Sequence, residues 1–200
     1  MEGLAPRLQE VPPLPVRRFT VEEYHRLIAL GVLEEETRVE LVEGWIVPQE
    51  KRTPLNAVGV TLAAKAIDRL LPPGWHWRVR GSITTKDSEP TPAVAVVRGT
   101  PRLYRQRHPG PADVALVIDV ADASLEAARL VMTRVYARAA IPAYWIVNLV
   151  DQRIEVFTNP INGRREAQYL SRLDVRAPES APLVLDAQNV GAIAAAELLP

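Results

Sequence analysis

Asp119 closes the run ALVIDVA, and its position makes it the residue most able to do chemistry. The run is continuously apolar, as in a strand buried on both faces. A buried carboxylate without a partner costs stability or shifts its pKa upward. Three partners would satisfy it: backbone amides, the guanidinium of Arg129, or a hard cation such as Mg²⁺, which prefers oxygen ligands. A second stretch, RGTPRLYRQRH from Arg98 to His108, carries Arg98, Arg102, Arg105 and Arg107 with a tyrosine and no acid. Such a loop can contact phosphates and stack a base. It can equally be a solvated surface loop whose charge is cancelled by acids nearby.

Other chemistries are excluded or unsupported. The chain has no cysteine, which removes disulfides, thiolate metal sites and cysteine nucleophiles. The three histidines, His25, His76 and His108, have no metal-ligand spacing. There is no GxSxG elbow, Walker loop or dinucleotide fingerprint. Lys plus Arg and Asp plus Glu are 24 each, so no global basic field announces nucleic acid, and attraction to phosphate must come from a local patch.

These residues are positioned by an alternation of buried strands and amphipathic helices, which predicts an α/β fold with a mixed sheet and helices on its faces. Residues 1–16 contain four prolines and read as a flexible arm, with 17–200 as one domain. Thr20 to Glu23 is a capping box opening a helix through Leu30. Arg38 to Pro48 reads as two short strands around Gly44. A helix over Leu55 to Leu71 is stopped by Pro72-Pro73-Gly74. Strands follow at Trp75 to Thr85, Ala93 to Val97, Val114 to Val120, Pro142 to Val150 and Arg153 to Thr158. Leu125, Ala128, Met132, Val135 and Ala139 form a helical stripe between two of them. After Asn159 the pattern is irregular until a last helix near Val190 to Leu198. No signal peptide and no run of about 18 apolar residues is present, so a cytoplasmic protein without a membrane span is expected.

RRFTVEEYHRLIALGVL, RVELVEGWIV, LPPGW, SEPTPAVAVVRG, HPGPADVALVIDVADASL, YARAAIPAYWIVNL and PLVLD together resemble the Uma-type restriction endonucleases, in order, from Arg17 to Pro200. The resemblance implies a restriction-endonuclease-like mixed β-sheet flanked by α-helices, with magnesium as the cofactor and double-stranded DNA as the partner. In such chemistry carboxylates hold Mg²⁺, the metal polarises the phosphate and supplies hydroxide, and a lysine adds positive charge.

Residue by residue, the resemblance assigns metal binding and catalysis to Glu40 and Asp119. Glu40 matches, and Asp119 stands for a glutamate. An aspartate is expected at Ala93, an aspartate at Ala128, a lysine at Met132 and a histidine at Leu55. Losing both an acid and the lysine deletes a buried charge pair without orphaning a partner, whereas breaking one half costs about 3–5 kcal/mol.

Three expectations follow. The first is a nuclease-fold protein with lost or strongly reduced cleavage, retained as a homo-oligomeric module binding DNA or another protein. The second is an active Mg²⁺-dependent endonuclease with migrated ligands, Glu40 and Asp119 joined by Glu43 or Asp122. The third is a structural protein without DNA contact.

Overall fold

The computed structural model describes residues 16–33, 37–49, 53–162 and 167–200. Most of the expected arm, residues 1–15, lies outside them. Thr20 caps α1 (Val21–Ala29) in the expected box, its hydroxyl accepting from the Glu23 N–H while Glu23 accepts from the Thr20 N–H. Val21 and Tyr24 are buried, but Ile28 is exposed.

β1 (Val39–Val42) and β2 (Trp45–Pro48) form a hairpin. Its two-residue turn, Glu43-Gly44, has both residues at positive φ, the conformation that matches strand twist. Gly44 also lies so close to Arg18 that a β-carbon there would stand 2.6 Å from Arg18 Cβ.

α2 (Pro54–Asp68) starts at a Thr53 cap. A six-stranded sheet follows in the order β3 (Trp75–Val79), β4 (Val94–Arg98), β5 (Val114–Ala121), β6 (Ala143–Asn148), β7 (Arg153–Asn162), β8 (Ala167–Val175). Only β5 and β6 run parallel. The sheet is therefore mixed and mostly antiparallel, with helices on both faces.

The crossover between the parallel pair is helical. α3 (Leu125–Ala127) passes into a π-helical turn (Ala128–Met132) and then α4 (Thr133–Arg138). The Thr133 N–H reaches the Ala128 carbonyl five residues back, which marks the inserted residue.

Side chains of β5 alternate between two cores. Leu116, Ile118 and Val120 pack under α2. Val117 and Ala121 pack under the crossover helix with Val135 and Tyr136. Asp119 shares the parity of the second set.

Where an irregular tail was expected after Asn159, β7 continues through Pro160 and pairs with β8. β9 (Ser180–Leu185) and β10 (Gln188–Ala194) then form a second ribbon. The last helix is only α5 (Ala195–Leu198). Prolines 160 and 182 lie inside strands, at places where a ladder tolerates a missing N–H. The expected strand over Trp75–Thr85 stops at Val79, because Arg80 turns to φ +49°.

Candidate active site

Glu40, Ala93, Asp119, Ala128 and Met132 line one cavity of about 420 Å³. The hairpin covers it, the crossover helix walls one side, and the ends of β4 and β5 form its floor. Five of the six positions matched through the resemblance thus meet at one place. The exception is Leu55, which is exposed, while its neighbour Asn56 is the residue in the wall.

Asp119 is held from two sides. The Ala93 N–H donates to Oδ1 at 3.2 Å and the Tyr144 hydroxyl to Oδ2 at 2.9 Å. Burial pushes its carboxyl above the usual range, against these two bonds and the field of Arg80. A backbone amide is therefore one of its partners, as expected. Arg129 is not: its guanidinium bonds Glu155 and Asp151. Glu40 accepts from the Thr91 N–H at 2.8 Å through Oε2.

Ala93 and Ala128 are buried, and Met132 packs against the second core, as its place on the helical stripe predicts. The π turn sits at the very residues where the missing acid and lysine were expected.

Several further residues belong to the site. Arg38 and Arg80 line the cavity. Arg80 Nη2 donates to Asn56 Oδ1 at 2.7 Å, and Asn56 Nδ2 donates to the Val120 carbonyl at 2.6 Å. Tyr136 is fully buried in the wall, and burial with the fields of Asp119 and Glu40 holds its hydroxyl protonated. Asn56 had a readable signal, a lone amide on the apolar face of an alanine-rich helix. Arg80 was legible, with Arg78 and Lys86, only as a basic residue of the Trp75 strand that would reinforce the arginine loop.

The additional acids considered for a migrated site are engaged elsewhere. Glu43 pairs with Arg134 and Arg138. Asp122 accepts from the Thr53 hydroxyl and the Ala123 N–H. Among the described residues, no three His, Cys, Asp or Glu side chains form a group that could hold a metal.

The magnesium ion implied by the resemblance does not fit this donor set. Each oxygen of Asp119 already accepts a hydrogen bond, from the Ala93 N–H and from the Tyr144 hydroxyl. Two basic residues line the cavity with it.

The basic loop is elsewhere. Arg98 ends β4, five residues from Ala93, or about 16 Å along an extended strand. It forms a forked pair with Asp186 at 2.8 and 2.5 Å and lies over Trp75. Arg107 bonds Asp113 at 2.7 Å and lies over Tyr104. Arg102 and Arg105 are exposed.

Residues 21–188 of the chain match a family model described as "Putative restriction endonuclease". The chain belongs to the Uma2 family. The fold of this Uma2 chain is similar to that of a solved structure described as a putative nuclease belonging to DUF820 from Anabaena variabilis ATCC 29413. The two share 11% identity at a TM-score of 0.65, over 90% of this chain and 97% of that one. No curated protein matches the Uma2 chain. No helix among its described residues is long and apolar enough to cross a membrane.

Proposed function

We propose that this chain is a cytoplasmic nuclease-fold protein that has lost phosphodiester hydrolysis and is retained as a binding module for double-stranded DNA. The observation that carries this reading is the composition of one cavity. Ala93, Ala128 and Met132 occupy it where hydrolysis needs two acids and a lysine, while the surviving Asp119 is bonded on both oxygens within the protein. Hydrolysis at neutral pH needs a group that charges the attacking water and one that balances the developing charge on phosphate. Among the described residues, Glu40 and Asp119 are the only acids in the lining.

DNA contact is assigned to Arg98, Arg102, Arg105 and Arg107, with Arg102 and Arg105 carrying most of it. Arg98 and Arg107 already spend their charge on Asp186 and Asp113. A homo-oligomer is also proposed, joined along the edge strand β3, where Trp77 and Val79 are exposed. Sedimentation velocity on the native chain and on a Trp77→Lys variant reads this directly.

The central test is incubation of supercoiled plasmid in Mg²⁺ and in Mn²⁺, with Asp119→Ala run in parallel. No nicking, or nicking that the variant leaves unchanged, is the expected result. Metal-dependent nicking that disappears in the variant would make this an enzyme with a rearranged site and end the reading.

A further inference from the structure

The charged residues lining the cavity are Arg38, Glu40, Arg80 and Asp119, two basic and two acidic. That balance needs no ion from solution. A divalent cation added to it would leave excess positive charge in a half-apolar hollow, where screening is weak.

Arg80 is built into this place by its backbone and its side chain together. It adopts φ +49°, a left-handed conformation uncommon for a side-chain-bearing residue. Its N–H donates to the Ala93 carbonyl at 3.2 Å, and the Ala93 N–H donates in turn to Asp119 Oδ1. The guanidinium is oriented by buried Asn56, which is itself anchored on the carbonyl of Val120, the residue following Asp119. Arg80 is thereby tied both to the residue that bonds Asp119 and to the one that follows it in the strand. Its positive field favours the ionised form of Asp119, against the effect of burial.

We infer that the Arg80 guanidinium has taken the charge-balancing place of a divalent cation in this site, so that the chain carries its own cation opposite Asp119 and thereby excludes a metal ion. This deepens the reading of a silent nuclease site and names the residue that keeps it silent. Replacing the lost acid alone therefore does not restore metal binding; the guanidinium must leave as well.

The experiment is titration of Mn²⁺ into the full chain, with free Mn²⁺ followed by electron paramagnetic resonance. The native chain is compared with Ala93→Asp and with Ala93→Asp combined with either Arg80→Gln or Arg80→Lys. Native protein and Ala93→Asp are expected to bind no Mn²⁺ above background. The Arg80→Gln combination is expected to bind roughly tenfold tighter or more, the scale on which neighbouring groups tune a metal site. The Arg80→Lys combination keeps the charge and is expected to behave as Ala93→Asp alone. Equal Mn²⁺ affinity of Ala93→Asp with and without Arg80→Gln overturns the inference.

A second measurement does not depend on whether the Ala93→Asp variants fold. In a double-mutant cycle of Arg80→Gln and Asp119→Asn, read by the urea midpoint, removing Arg80 should matter much less once Asp119 is already neutral. Additive effects overturn the inference. Nicking by the native chain would end the silent-site reading, while this cycle reports on Arg80 separately.

Discussion

Glu43 and Arg134 are joined by two parallel hydrogen bonds, Nε to Oε1 at 2.8 Å and Nη2 to Oε2 at 2.7 Å, across 91 residues of chain. Arg138 adds a third contact at 2.9 Å. The Glu43 N–H is meanwhile taken by the Ser88 hydroxyl at 2.8 Å. The turn of the hairpin is thus bolted to α4, and Glu43 is a structural acid. Bonds from Arg134 hold its carboxyl below the usual range.

Glu43→Ala should lower stability by about 1–3 kcal/mol, the scale of charge-assisted hydrogen bonds at a mostly buried acid. Urea unfolding at neutral pH measures this. A loss under about 0.5 kcal/mol would place the pair among surface ion pairs of little consequence.

Glu155 gives the chain an acid-sensitive element. Its side chain has no exposed surface and is met by Arg129, Arg153 and Arg172. Burial pushes its carboxyl up, but bonds from Arg129 and Asn148 and the field of Arg172 reverse this, to about 2 from an ordinary 4.5. A lowered folded-state value means stability that is fully present above about 4.5 and is lost as pH falls toward about 2. Urea midpoints between pH 6 and pH 3 should show this decline. Glu155→Gln should flatten it and cost about 3–5 kcal/mol at neutral pH.

Asp119 has the opposite sign. Its folded-state value is raised, so its contribution is most favourable below the unfolded value and is lost as pH rises through the folded one. The penalty of Asp119→Asn, read as a difference in urea midpoint from the native chain, should shrink as pH is raised above the ordinary carboxylate value of 3.8. A penalty that grows over that range contradicts the burial argument.

Gly59 lets α2 approach β5. A β-carbon there would lie 2.8 Å from Val120 Cγ1. Gly59→Ala should therefore destabilise by about 1–3 kcal/mol through overpacking, although alanine is the better helix former. Adding Val120→Ala should recover part of the loss, and thermal melts of the single and double variants decide it.

Arg102→Ala with Arg105→Ala should weaken binding to duplex DNA of any sequence. It should also lower the slope of log affinity against log salt by about 2, one for each phosphate no longer neutralised. Fluorescence anisotropy at several salt concentrations reads both. An unchanged slope would remove DNA contact from this loop.

The centre of the fold was legible because β4, β5 and β6 are continuous apolar runs separated by an amphipathic stripe, and the capping box and the Pro72-Pro73-Gly74 stop are local signals. The two ends of the chain were harder. Pro160 and Pro182 read as breakers although each lies in a ladder, because pairing of β7 with β8 and of β9 with β10 is decided between strands. Similarly, Glu40, Ala93 and Asp119 could be named in advance from the resemblance, whereas Arg80 and Tyr144 reach Asp119 only through the packing of strands distant in sequence. The π turn was invisible as well, since one extra residue leaves the stripe from Leu125 to Ala139 intact.

The alternation along β5 has a consequence for how such a chain can change. Leu116 and Ile118 serve the layer beneath α2, while Asp119 next to them serves the cavity. Substitutions on the cavity side leave the packing under α2 in place. Heredity can therefore act on the two faces of one strand separately, and a lineage can give up a reaction while still inheriting the shape that once performed it.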